Sequence, residues 1–109
     1  MKPPTHLMAP TRKWFASVLD EFDLEPHHVR LLTLAAEAWD RGQAAREFID
    51  ANGATYTDRF GQPKPRPEIA IERDSRIGFA RLLRELALDG VDAPESTRPP
   101  RTADYGSRR

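Results

Sequence analysis

Three cations in a proline-braced loop are the residues of this chain best suited to do chemistry. From Gly53 the sequence reads Gly-Ala-Thr-Tyr-Thr-Asp-Arg-Phe-Gly-Gln-Pro-Lys-Pro-Arg-Pro67, so Arg59, Lys64 and Arg66 alternate with Tyr56, Phe60 and prolines. Cations meet phosphate oxygens and aromatic rings stack on bases, so a protruding loop of this composition suits a nucleic acid. The same charges would equally serve to keep an exposed, apolar-tipped loop soluble, and spacing alone leaves both readings open. A second basic set, Arg12 and Lys13, stands near the start of the first apolar stripe, and Arg98 and Arg101 belong to a third set near the C-terminus. Arginines in such a tail add salt-dependent affinity for nucleic acid or bind an acidic partner segment.

Catalytic constellations are missing. His6, His27 and His28 are the available imidazoles, and adjacent histidines do not share a helix face as ligands at i, i+4 do. His28 is expected to pack partly beside Leu31 and Leu32, with His27 exposed. No cysteine occurs, which removes disulfide and thiolate chemistry, and no phosphate-binding glycine loop is present. The chain is therefore read as a non-enzyme without metal or cofactor. Seventeen basic and seventeen acidic residues cancel, so any nucleic-acid site must be a local patch within a chain that lacks a strong positive field. No apolar run is long enough to span a bilayer, which suits a soluble intracellular protein.

The elements that would position these residues are helical. Residues 1–10 carry three prolines and read as a flexible N-terminal arm. Thr11 is a candidate cap for a first helix that places Trp14, Phe15, Val18, Leu19 and Phe22 on one face. Glu25-Pro26 opens a second helix that Asn52-Gly53 stops. That helix is apolar over an unusually wide arc from Val29 to Trp39. Leu31 belongs to this arc, and Ala38, Gly42, Ala45 and Ile49 continue one side of the helix with small residues. Close packing within the chain and a subunit interface explain the small stripe about equally well.

Thr55 to Thr57 and the segment after Gly61 form a small hairpin or extended proline-rich connector, with Asp58 to Gly61 as its turn. Pro67-Glu68 then opens a third helix, ended by Asp89-Gly90. Along it Ile71, Ser75, Gly78, Phe79, Leu82, Leu83 and Leu86 make the inward stripe, and Arg73 and Arg76 beside it could reach across a shared interface. Residues 91–109 read as a disordered tail. The fold class is thus mainly α: a three-helix domain over residues 11–90, with a small hairpin between helices 2 and 3 and flexible termini. A core of roughly eighty residues supplies only about 3–5 kcal/mol, so oligomerisation would be a reasonable source of further stability.

The pattern resembles the P27-like family of phage terminase small subunits. The residues that carry the likeness are Trp14 in the first helix, Gly53 after the second, Gly61 and Lys64 to Pro67 in the connector, Arg73 to Arg76, and Leu82-Leu83-Arg84-Glu85-Leu86. Two positions depart from the family pattern: Arg66 stands where many relatives carry histidine, and Ala87 where a glycine often precedes the final leucine. The resemblance implies a ring-like homo-oligomer in the host cytoplasm that recognises double-stranded viral DNA for packaging and presents it to the terminase large subunit. That partner holds the ATPase and nuclease. The reading from composition alone, a small helical protein–protein interaction oligomer without DNA binding, stands beside it.

Overall fold

A 27-residue helix, α2 (Pro26–Asn52), is the longest element among the described residues, about 40 Å at the usual helical rise. The structure is a computed structural model and describes residues 1–88. Around α2 are arranged α1 (Ala9–Glu21), a hairpin of β1 (Thr55–Thr57) and β2 (Pro63–Pro65), and α3 (Pro67–Glu85). This is the three-helix, one-hairpin architecture expected from the sequence. Each helix has a proline in its first turn, where the missing N–H costs nothing. His28 has a capping role that its sequence context did not reveal: its Nδ1 accepts the Glu25 N–H at 3.2 Å. It is half-buried and His27 exposed, as expected.

The first helix begins two residues before Thr11. Pro10 is accommodated inside the first turn, so the helix need not wait for a cap behind it. The missing cap comes from another helix. Asp40 of α2 accepts the Met8 N–H through Oδ2 at 2.8 Å and the Thr11 hydroxyl through Oδ1 at 2.5 Å. Thr11 is thereby buried in a helical contact, and Leu7 sits in the core at 2 % exposure, so the ordered body begins earlier than the arm expected over residues 1–10 allows.

The main core lies at one end of α2. Phe15 and Val18 of α1, Leu32 and Ala36 of α2, Leu7, and Leu86 just beyond α3 form one cluster, flanked by Trp14, Leu19, Leu31 and Leu88. Phe22, expected on the same face, remains exposed. From this end α3 runs back along α2. The contact is close because Gly42 lacks a side chain: a Cβ there would lie 3.3 Å from the Ser75 Cβ. Phe79 stacks obliquely between Trp39 at 5.0 Å and Trp14 at 5.9 Å, linking all three helices.

The third helix ends at Glu85, earlier than Asp89-Gly90 suggested. Ala87 takes a left-handed conformation, φ 60°, and closes a Schellman motif: Leu88 N–H donates to Leu83 O at 2.8 Å and Ala87 N–H to Arg84 O at 3.0 Å. Turning here brings Leu86 and Leu88 onto the core, and that burial offsets the strain of an alanine in a glycine conformation.

Candidate nucleic-acid interface

At the far end of α2, some twenty residues or roughly 30 Å along the axis from Leu32, the chain leaves the helix through Gly53. Its φ of 91° suits glycine, and its N–H still bonds Ile49 O at 2.7 Å. The strands that follow pair antiparallel with Thr55 opposite Pro65, Tyr56 opposite Lys64 and Thr57 opposite Pro63. Backbone bonds from Arg66 N–H to Ala54 O and from Asp58 N–H to Gln62 O bracket this ladder, both at 2.9 Å. The prolines therefore occupy alternate positions whose N–H would point away from the partner strand. They cost the hairpin no bond, and they deny its outer edge to any further strand.

The tip is fixed by Asp58. Its Oδ1 accepts the N–H groups of Phe60 at 2.8 Å and Gln62 at 2.9 Å, and its carbonyl accepts the Gly61 N–H at 3.0 Å. Gly61 has φ 80°, the requirement anticipated from the turn sequence. The one carboxylate of the hairpin is thus aimed at its own backbone and makes no ion pair with a cation of the loop. Arg59 lies over the Phe60 ring, 4.9 Å from its centre, and Phe60 is 73 % exposed. Lys64 and Tyr56 share the pair position behind the tip and are both exposed. Neither Arg59 nor Lys64 pairs with a carboxylate among the described residues.

Arg66, grouped with them by sequence, has a different role. Its Nε donates to Gly53 O at 3.0 Å and its Nη2 to Asn52 O at 3.1 Å, with the guanidinium 5.7 Å from the Phe48 ring centre. It ties the outgoing end of the hairpin to the last carbonyls of α2, where the helix dipole favours a cation. A count of charges could not reveal this, because the acceptors are backbone atoms thirteen and fourteen residues away.

Of the second basic set, Arg12 donates to the Leu7 carbonyl and is half-buried, while Lys13 is exposed on α1. Both belong to the core end of the protein. Asp40, which holds α1, is twelve helical positions from the start of the hairpin region at Asn52, or roughly 18 Å, so these two do not join Arg59 and Lys64 in one patch. Arg98 and Arg101 lie outside the described residues.

The small stripe on α2 is covered within the chain. Ala38 and Ala45 are buried at 7 % and 5 %, and Gly42 lies under Ser75, so these residues serve α2–α3 packing where a subunit interface was the alternative. Leu31 packs on the core and Ile49 is half-buried. Arg76 bonds Glu72 within α3 at 3.1 Å, and Arg46 of α2 reaches the same carboxylate at 3.0 Å. Arg76 foremost, then Arg46, holds the Glu72 carboxyl below the usual glutamate range. Arg73 is exposed and pairs with its neighbour Asp74, at 3.3 Å.

What sequence reasoning missed is the opposite side of the α2–α3 seam. There Leu34, Arg41, Ile71, Asp74, Gly78 and Leu82 line an open groove of about 410 Å³. Leu34 is 53 % and Ile71 38 % exposed. The wide apolar arc of α2 hinted at it, since α3 and α1 together leave Leu34 uncovered. Among the described residues no group of three or more His, Cys, Asp or Glu could hold a metal ion, and no helix is long and apolar enough to cross a membrane.

A family model described as phage terminase, small subunit, matches residues 12–100. No curated protein and no solved structure matches the chain.

Proposed function

The chain belongs to the family of phage terminase small subunits, and from that membership we propose that it recognises double-stranded viral DNA through the tip of its hairpin and recruits or regulates the terminase large subunit. The role is one of contact without catalysis, carried out in the host cytoplasm. Its P27-like character rests on the residues from Lys64 to Pro67 and from Leu82 to Leu86. The observation that carries the DNA reading is the pair of cations, Arg59 and Lys64, without a carboxylate partner among the described residues, on an exposed loop whose only carboxylate bonds its own turn. With net charge zero, each copy binds weakly, and repetition of the hairpin around a homo-oligomer adds the contacts by multivalency.

Self-association, on this proposal, uses the groove of Leu34, Ile71 and Leu82 and not the small stripe beneath α3. Arg41 and Asp74 stand together along it and Glu68 beyond, so the groove carries both signs and can face a second copy of itself without repulsion. The arginines near the C-terminus, Arg98 and Arg101, remain candidates for contact with DNA or the large subunit.

The test is a salt titration of duplex binding. Removing one cation from a phosphate should flatten the slope of log affinity against log salt by about 0.9. Arg59→Ala with Lys64→Ala is expected to reduce the slope by about two units per engaged subunit while the melting temperature stays unchanged. Binding by the double variant that matches the wild type at every salt concentration would remove the hairpin from the proposal. A wild type that binds no duplex even at low salt would favour the protein-only interaction reading.

A further inference from the structure

We infer that Phe60 is a DNA wedge, its ring entering a base step of the duplex from the minor-groove side. This rests on the DNA reading above and states how the hairpin would use it. Among the large apolar residues described, only Met1 is more exposed than Phe60, at 82 % against 73 %. Held at the end of a loop with most of its ring exposed, Phe60 is available to a partner surface.

The tip is built for insertion. Phe60 N–H and Gln62 N–H are both held by the Asp58 carboxylate, and Gly61 closes the turn, so the ring stands on a preset backbone and binding costs little ordering entropy. The hairpin base is equally fixed, by Arg66 on the α2 carbonyls and by prolines. Apolar side chains presented in this way by minor-groove proteins unstack a step and kink the helix.

The charges select a polyanion as the occupant. Arg59 lies on the ring itself and Lys64 stands on the second strand, so a ring that enters a base step releases the Arg59 guanidinium from its face to the phosphates that flank the step. An apolar protein slot would have to desolvate Arg59 with the ring, without phosphates in return. One such slot exists, lined by Trp14, Trp39 and Phe79, and occupation of that slot by Phe60 of a second copy is the rival outcome. Unstacking is least costly at pyrimidine–purine steps, so the wedge makes the hairpin sensitive to DNA deformability.

The experiment uses the full chain and short duplexes carrying one central TA step flanked by 2-aminopurine, with an A-tract duplex as the stiff control. Wild type should raise 2-aminopurine fluorescence at the step and shorten the end-to-end distance measured by energy transfer. Phe60→Ala should lose both signals and a roughly tenfold preference for the TA duplex, yet keep the wild-type salt slope. Phe60→Leu, still able to wedge, should retain part of each signal. Wild-type binding without a fluorescence change, or Phe60→Ala behaving as wild type, overturns the wedge while the DNA reading stands. Loss of self-association by DNA-free Phe60→Ala would also overturn it, placing the ring in a protein slot. If wild type binds neither duplex, the DNA reading itself has failed.

Discussion

Every residue of β1 and β2 is exposed, whereas α2 buries Leu32, Ala35 and Ala36 completely; the two regions keep their shapes by different means. The helical body relies on close approach: Gly42 against Ser75, Phe79 between two tryptophans, and a six-residue cluster around Phe15 and Leu32. The hairpin has almost nothing to bury. It relies on hydrogen bonds made by Asp58 and Arg66 and on prolines that narrow the unfolded ensemble. A small protein thus separates a part held by packing from a part held by backbone contacts, and the second is free to present cations and an aromatic ring. Change in the body should register as stability, and change in the hairpin as binding.

The strongest test of that division is Gly42→Leu. Side-chain atoms placed 3.3 Å or less from Ser75 would force α2 and α3 apart, an overpacking cost of about 2–3 kcal/mol in urea or thermal unfolding. Gly42→Ala should be far milder, because the better helix propensity offsets the tight contact. An unchanged melt for Gly42→Leu would mean that the seam is not closely packed, and the body would then owe its shape to something other than close approach.

A smaller effect of opposite sign is expected at the end of α3. Ala87→Gly relieves the left-handed alanine and should stabilise the fold by about 1 kcal/mol, seen as a raised melting temperature with duplex affinity unchanged. Destabilisation would show that Ala87 does not hold that conformation in solution.

The smallest change in global stability belongs to Arg66→Ala, less than about 1 kcal/mol for exposed hydrogen bonds of this type. Its local effect should be larger: faster hydrogen exchange through the hairpin and weaker duplex binding, although Arg66 itself is assigned no phosphate. Arg66→Lys should rescue little, since an ammonium group cannot reproduce the fork that reaches two carbonyls. Full hairpin protection in Arg66→Ala would narrow the hairpin's supports to Asp58 and the prolines.

Those variants also mark where the sequence was readable. Asn52-Gly53, Gly61 and Pro67 punctuate the chain by backbone chemistry local to each residue, and each is found where that chemistry requires. Thr11 misled because its hydroxyl suits an N-cap, while its true partner, Asp40, is twenty-nine residues away. The end of α3 was placed too late because no glycine announces a stop at Ala87. Arg66 looked like its basic neighbours, since composition shows the donor and not the backbone acceptors. The small stripe of Ala38, Gly42 and Ala45 was ambiguous for a related reason: periodicity shows that a face will be covered, and only the fold shows by what.

If DNA meets the hairpin tip and not the helical body, binding should leave a local footprint on the backbone amides. Hydrogen exchange of the full chain, with and without a saturating duplex at low salt, would read that footprint. Added protection is expected to centre on residues 56 to 64, with the amides of α2 and α3 unchanged. Protection spread along the α2–α3 groove, with the hairpin exchanging as freely as before, would contradict it.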